Sequence, residues 1–182
     1  MLNYQIGAVP RRNRVRGLAM ELLRQRFPDS ADPRREWLPP KPDWKTGLPD
    51  LDVLEEELER VRQRRGKIVL YGHDDMDGIT GLFVGLRVLR REGYHVVPIL
   101  PRREFEDYGL LPERMAPHLS RGDLLLTVDY GCSAVKGVRW ARDAGARVVI
   151  TDHHTLNPPL PDAHGLVDPQ VYGSDATATV LA

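Results

Sequence analysis

The chain has 182 residues, 41% apolar and 29% charged, with 26 Lys plus Arg against 26 Asp plus Glu. That suits one packed domain with a small appendage, and the zero charge balance predicts no strong general attraction to nucleic acid while leaving room for a local basic groove. No apolar run approaches the ~20 residues that span a bilayer, the opening Met-Leu-Asn-Tyr-Gln-Ile-Gly lacks a basic-then-apolar leader pattern, and the single Cys132 excludes an internal disulfide, so no membrane partner and a cytoplasmic, reducing location are expected.

Leu18, Met20, Leu22, Leu23 and Phe27 follow Arg11, Arg12, Arg14 and Arg16 at roughly helical spacing, which predicts an amphipathic helix over 12–27. Its basic face suits phosphates or Arg stems lying over apolar surface. Pro28, Pro33, Pro39, Pro40, Pro42 and Pro49 then rule out a helix. Residues 1–50 therefore read as an N-terminal helix and a wrapped connection, and 51–182 as the domain. Leu51, Leu54, Leu58 and Val61 predict a helix over 51–65, acidic early and basic late as the helix dipole favours, ended by Gly66.

The apolar run 67–71 predicts a buried strand, followed by a helix over 79–91 that Gly93 stops. The alternation repeats: a strand over 94–100, a loop from Pro101 through Gly109, a short helix within 111–119, a strand over 123–128, a helix over 133–144, a strand over 147–150 and a weaker strand over 165–167. Strands separated by helices predict an α/β fold with an open, mainly parallel sheet and helices on both faces.

Three strands end on metal-capable groups: His73, Asp75 and Asp77 after the first, Asp129 after the middle one, and Asp152, His153 and His154 after the next. Were 73–77 extended, its alternate residues would share a face. Each cluster alone reads more readily as a polar turn, a cap or a surface His pair than as a site. Their coincidence at one sheet edge, where open α/β sheets bind ligands, predicts a shared metal site. Mixed imidazole and carboxylate ligands suit Mn, Fe or Zn better than Ca or a bare Mg site. So many carboxylates imply two ions about 3.5–4 Å apart, and hence phosphoester hydrolysis.

The segments Gly72-His73-Asp74-Asp75-Met76-Asp77-Gly78, Thr127-Val128-Asp129-Tyr130-Gly131 and Thr151-Asp152-His153-His154 resemble the first three motifs of the DHH phosphoesterase superfamily. Within it the resemblance is to RecJ-type single-strand exonucleases, supported by Pro101-Arg102-Arg103, Asp107-Tyr108-Gly109-Leu110, and Leu160-Pro161-Asp162-Ala163 running to Val167-Asp168-Pro169. His73 departs from the bacterial RecJ pattern, which has Asp there, and resembles the archaeal and nanoRNase-like branches. The resemblance implies two Mn2+ ions, with Mg2+ the alternative: His73 and Asp75 on one, Asp77 and His153 on the other, and Asp129 bridging both. It further implies His154 at the scissile phosphate, Asp152 orienting an imidazole, and Arg102, Arg103 and Tyr108 on the substrate path. Asp74 is left out of the ligand set. Single-stranded DNA or short oligonucleotides are the implied partners.

The family's domain continues to a fourth Asp motif and a second, nucleic-acid-holding domain. The closing residues 175–182 look like a helix just begun, so an N-terminal piece with little activity alone is expected, open to self-association through the uncovered face. Short oligoribonucleotides or cyclic dinucleotides are the rival substrates, and a non-catalytic scaffold of the same fold is the rival class. The converging His73, Asp75, Asp77, Asp129 and His153 oppose the scaffold, because nothing structural needs so many like charges together.

Overall fold

In the computed structural model, which describes residues 20–32, 48–101 and 109–172, the runs 68–70, 124–126 and 148–150 are buried throughout. Such runs require a sheet covered on both faces. Five strands supply it: β1 (Lys67–Tyr71), β2 (His95–Ile99), β3 (Leu124–Val128), β4 (Arg147–Thr151) and β5 (Gly165–Val167). Their order is β2-β1-β3-β4-β5, and every neighbouring pair is parallel. The chain moves outward from β1 to β2, then returns past β1 to β3 and continues the other way. This reversal opens a crevice at the carboxyl ends of β1 and β3.

Alternate residues feed opposite cores, as the pleat dictates. Val69, Tyr71, Leu125, Val148 and Ile150 pack with Met115, Val138 and Ala141 from α3 (Pro112–Met115) and α4 (Val135–Asp143). Ile68, Leu70, Leu124, Leu126 and Val149 pack with Val61, Leu82 and Leu89 from α1 (Leu51–Gln63) and α2 (Met76–Arg91). The sheet therefore carries helices on both faces, the α/β architecture expected.

The connection from β4 to β5 contains no helix, and α1, which precedes the whole sheet in sequence, covers that end. Leu166 donates its N–H to Asp50 Oδ2 at 2.8 Å, and a Cβ on Gly165 would lie 3.1 Å from Val53 Cγ1. Arg147 of β4 reaches the buried Glu57 of α1, its Nε donating to Oε2 at 2.9 Å while Nη2 pairs with Oε1. Burial opposes charge on Glu57, but the Arg147 and Arg60 guanidiniums outweigh it and hold the carboxyl below its ordinary range.

Several boundaries shift by a residue or more from expectation, and two of the shifts have structural causes that bear on the fold. Helix α1 ends at Gln63 rather than Arg65. Arg65 takes the left-handed conformation (φ 53°), and the N–H groups of Arg65 and Gly66 donate to the carbonyls of Arg62 and Val61. This closes a Schellman turn. Gly66 serves it by smallness, since a Cβ there would stand 2.9 Å from Val61 Cγ2. Helix α2 begins at Met76 rather than Ile79, with consequences for the site. Its outer face leaves Met76, Ile79, Phe83, Val84 and Val88 exposed.

The chain divides into two compact units, Met1–Asp43 and Trp44–Ala182. Within the first, 20–26 is helical, inside the helix expected over 12–27. The rest of that expectation, 12–19, and the Pro-rich stretch 33–47 lie outside the described residues. Among the described residues no helix is long and apolar enough to cross a membrane.

Glu57→Gln should lower the unfolding free energy at pH 7 by about 2–3 kcal/mol, toward the low end for a buried pair because Arg147 is 33% exposed. A depressed carboxyl contributes fully above its unfolded value, about 4.3 for glutamate, and the contribution is lost as pH falls through the folded value. Urea unfolding should therefore show the gap to wild type closing below about pH 4.

Candidate metal centre

At the end of β1 the Gly72 N–H donates to the Ile99 carbonyl at 3.0 Å, which carries the chain on to His73, buried and stacked on the Tyr130 ring at 5.4 Å. Asp75 is the N-cap of α2, extended (φ −106°, ψ −175°), and its Oδ1 accepts the Gly78 N–H at 3.2 Å. Its other oxygen lies 2.7 Å from His73 Nδ1. Asp77 sits in the first helical turn. The alternation of 73, 75 and 77 on one extended face therefore fails at Asp77. The carboxylate is brought to the site by the turn from strand into helix instead.

Gly78 makes that turn possible. A Cβ on it would stand 2.5 Å from His73 Cβ and 2.6 Å from the His73 carbonyl oxygen, far inside contact distance. Glycine is required for close approach, within the helix rather than at its opening.

Asp129 follows β3 in the left-handed conformation (φ 56°) and is 8% exposed. Asp adopts that conformation more readily than most residues, at some cost. One oxygen, Oδ1, lies 2.9 Å from His153 Nε2. The other, Oδ2, lies 3.5 Å from His73 Nδ1 and is buried without a hydrogen bond from any described residue. His153 Nε2 is also 3.5 Å from Asp77 Oδ2.

Asp152 begins the segment after β4 and is buried. Its Oδ1 accepts the backbone N–H groups of His153 at 2.8 Å and His154 at 3.2 Å, and lies 2.7 Å from His154 Nδ1. Its Oδ2 accepts the Cys132 N–H at 2.9 Å. Burial opposes its charge, yet the Cys132 amide and the His154 ring outweigh burial and keep the carboxyl below its ordinary range. Asp152 is thus a charged acceptor, and His154 Nδ1 is its donor. That bond is the main cause raising the His154 pKa above its usual value.

Donor atoms converge in two triads, His73, Asp75 and Asp129, and Asp129, His153 and His154, each set within 4.8 Å. They share Asp129. Burial first, then the Asp75 and Asp77 carboxyls, push the Asp129 pKa up. Asp75 moves the opposite way: burial is outweighed by the Gly78 amide, Asp129 and His73. The opposed directions follow from the coupling of the two carboxyls, since charge on one disfavours charge on the other. The orphaned Asp129 oxygen and the all-anionic and imidazole donor set fit a divalent cation.

Arg102, Arg103 and Tyr108 lie outside the described residues. Asp74, omitted from the expected ligands, has a carboxylate oxygen 3.9 Å from His73 Nε2. Asp168, the first residue after β5, is 0% exposed. Its Oδ1 accepts the Gln170 N–H at 2.8 Å, while Oδ2 takes no hydrogen bond from a described residue. Burial and then the Asp152 charge raise its pKa. Gln170 Nε2 donates to the His153 carbonyl at 2.6 Å and so steadies a candidate ligand. Asp168 carried a sequence signal, an acid ending a fourth strand at the same edge. Gln170 carried none.

A parallel sheet with carboxylates and imidazoles gathered at its switch point defines an α/β domain with a candidate metal centre. Residues 67–182 match the DHH family, N-terminal domain, and the chain belongs to that family. It is 39% identical over 127 residues to the single-stranded-DNA-specific exonuclease RecJ of Thermus thermophilus, covering 70% of this chain and 18% of that protein. It is 34% identical over 128 residues to the Bacillus subtilis RecJ, covering 68% and 16%. Among solved structures, exonuclease RecJ bound to manganese superposes with a TM-score of 0.58 at 34% identity, covering 70% of this chain and 35% of that one. The chain spans less than a fifth of the length of these two curated relatives.

Gly78→Ala should separate strand end from helix start. Differential scanning fluorimetry should register a loss of about 1–3 kcal/mol in stability, and Mn2+ titration by calorimetry should show weaker binding than wild type.

Proposed function

We propose that residues 51–182 supply the metal-holding part of a RecJ-like phosphodiesterase directed at single-stranded DNA, weakly active by themselves, with 1–50 as an appendage. The observation that carries the proposal is the pair of donor triads joined through Asp129. His73 and Asp75 would hold one divalent ion, Asp77 and His153 a second, and Asp129 both, with Mn2+ favoured by the mixed donors. Such ions supply Lewis acidity toward a phosphate oxygen and acidify a water.

The chain's own residues do the rest. Asp129, buried and strained, presents one oxygen toward each imidazole ligand, which fixes the separation of the two halves. Asp152 holds the Nδ1 proton of His154, leaving Nε2 to carry a proton to or from the substrate phosphate. The same carboxylate gathers the 153 and 154 amides, so both imidazoles turn with one anchor. The assignment of Arg102, Arg103 and Tyr108 to substrate contact rests on the sequence resemblance. RecJ is the named function of the relatives, and the polar edge of the sheet is where this fold binds ligands.

Asp129→Asn should abolish tight Mn2+ binding at both positions in a calorimetric titration; unchanged stoichiometry would refute the bridging role. His154→Ala should bind Mn2+ within a few-fold of wild type while Mn2+-dependent hydrolysis of an end-labelled single strand falls about 10²-fold or more. Equal hydrolysis by the two proteins would remove His154 from the chemistry.

A further inference from the structure

The carboxyl ends of the strands gather acids, and the amino ends gather arginines. Because every neighbouring pair of strands is parallel, the turns entering β2 (92–94), β1 (64–66), β3 (120–123) and β4 (144–146) lie side by side at one edge, in that order. Arg90 and Arg91 close α2 before the first turn, Arg62, Arg64 and Arg65 lead into the second, and Arg121 lies in the third. All six are exposed. The intervening strands have five residues each, which sets this edge roughly 15 Å from the candidate ligands.

The side chains reach from turn to turn. The Arg62 guanidinium lies over the Tyr94 ring at 4.6 Å. Arg64 Nη1 stands 3.8 Å from where a Cβ on Gly122 would be, and Arg121 Cγ stands 2.9 Å from the same point on Gly145. The Gly122 N–H donates to the Gly145 carbonyl at 2.9 Å, which ties these turns together. The arginines therefore form one row across the edge.

Little neutralises that row. Lys67 and Asp123 cancel each other at 2.8 Å, whereas none of the six arginines pairs with a carboxylate of a described residue. Among the acids in or next to the four turns, only Glu92 and Asp143 are exposed. Last-turn arginines do suit the roughly half negative charge at the C-termini of α1 and α2. Two half charges leave most of six full ones unbalanced, and Arg64, Arg65 and Arg121 lie outside the helices.

No large apolar side chain is exposed in these turns, so the row offers charge and hydrogen-bond donors without a pocket. That suits a phosphodiester backbone, whose charges repeat along a line and accept forked bonds from guanidinium groups. A peptide or a bilayer held by apolar groups finds no purchase there. We propose that the amino edge of the sheet, from Arg90 and Arg91 across Arg62, Arg64 and Arg65 to Arg121, is a second nucleic-acid surface that grips the phosphate backbone without reading bases. It stands independently of the metal centre at the opposite edge. Where that centre acts as proposed above, the row holds a part of the same nucleic acid remote from the reacting phosphate.

The test is fluorescence anisotropy of a labelled oligothymidylate, in EDTA, with wild type, Arg64→Glu/Arg121→Glu and Arg114→Glu/Arg139→Glu. The last pair, on α3 and α4, is also exposed and changes the charge equally. Thermal melting checks folding, and Arg91→Glu, with an expected several-fold loss, serves if the first variant melts early. Wild type should bind, its affinity falling about tenfold or more between about 50 and 200 mM salt. Arg64→Glu/Arg121→Glu should weaken binding about tenfold or more at low salt and flatten the slope of log affinity against log salt by roughly 1.4, at roughly 0.7 per contact. Arg114→Glu/Arg139→Glu should stay within about threefold of wild type. No binding by wild type, an equal loss in both double variants, or no loss in a folded variant of the row overturns the surface. Tighter binding to phosphatidylserine vesicles than to the oligonucleotide overturns it in favour of a membrane. Wild type that binds the oligonucleotide through the row yet takes up no Mn2+ by calorimetry overturns the metal reading instead and leaves the row standing.

Discussion

Asp129 is buried between two imidazoles and beside two further carboxylates, and the arrangement of the candidate centre depends on that placement. A carboxylate among carboxylates is costly in a poorly solvated site. The cost appears as the upward shift of its own pKa against the downward shift of Asp75. Its left-handed backbone adds strain. Burial, repulsion and strain together favour a cation there, because a cation relieves the first two and compensates for the third.

The sheet makes this convergence possible. Reversal of strand order between β1 and β3 opens the crevice in which His73 meets Asp129, and the β3–β4 register brings the segment bearing His153 and His154 alongside. Two small features protect the arrangement. Gly78 lets α2 start against His73, and Asp152 binds the amides and one ring of the histidine pair while its second oxygen takes the Cys132 N–H. Farther back, the Glu57–Arg147 pair fastens α1 to β4, completing a layer that no connecting helix between β4 and β5 provides.

The continuous apolar runs at 68–70, 124–126 and 148–150 made the strands legible, since only a doubly covered sheet can bury them. Strand-end acids and histidines, together with the DHH motifs, marked the candidate centre for the same local reason: their position in sequence follows directly from where a strand stops. The role of α1 was illegible, because a helix before the first strand carries no signal that it will cover the last. Gln170 was equally hidden, being an ordinary amide until the turn after β5 brings it to the His153 carbonyl.

Sequence by itself determined the α/β class, the parallel strands and the identity of the residues gathered at their ends, all of which follow from hydrophobic period and local chemistry. Only the tertiary structure decided which oxygen faces which imidazole and that Asp77 arrives through a helix rather than along an extended face. Those depend on one backbone turn at Gly78 and one left-handed residue at 129. The contacts that select both conformations lie across the fold, where no local pattern records them.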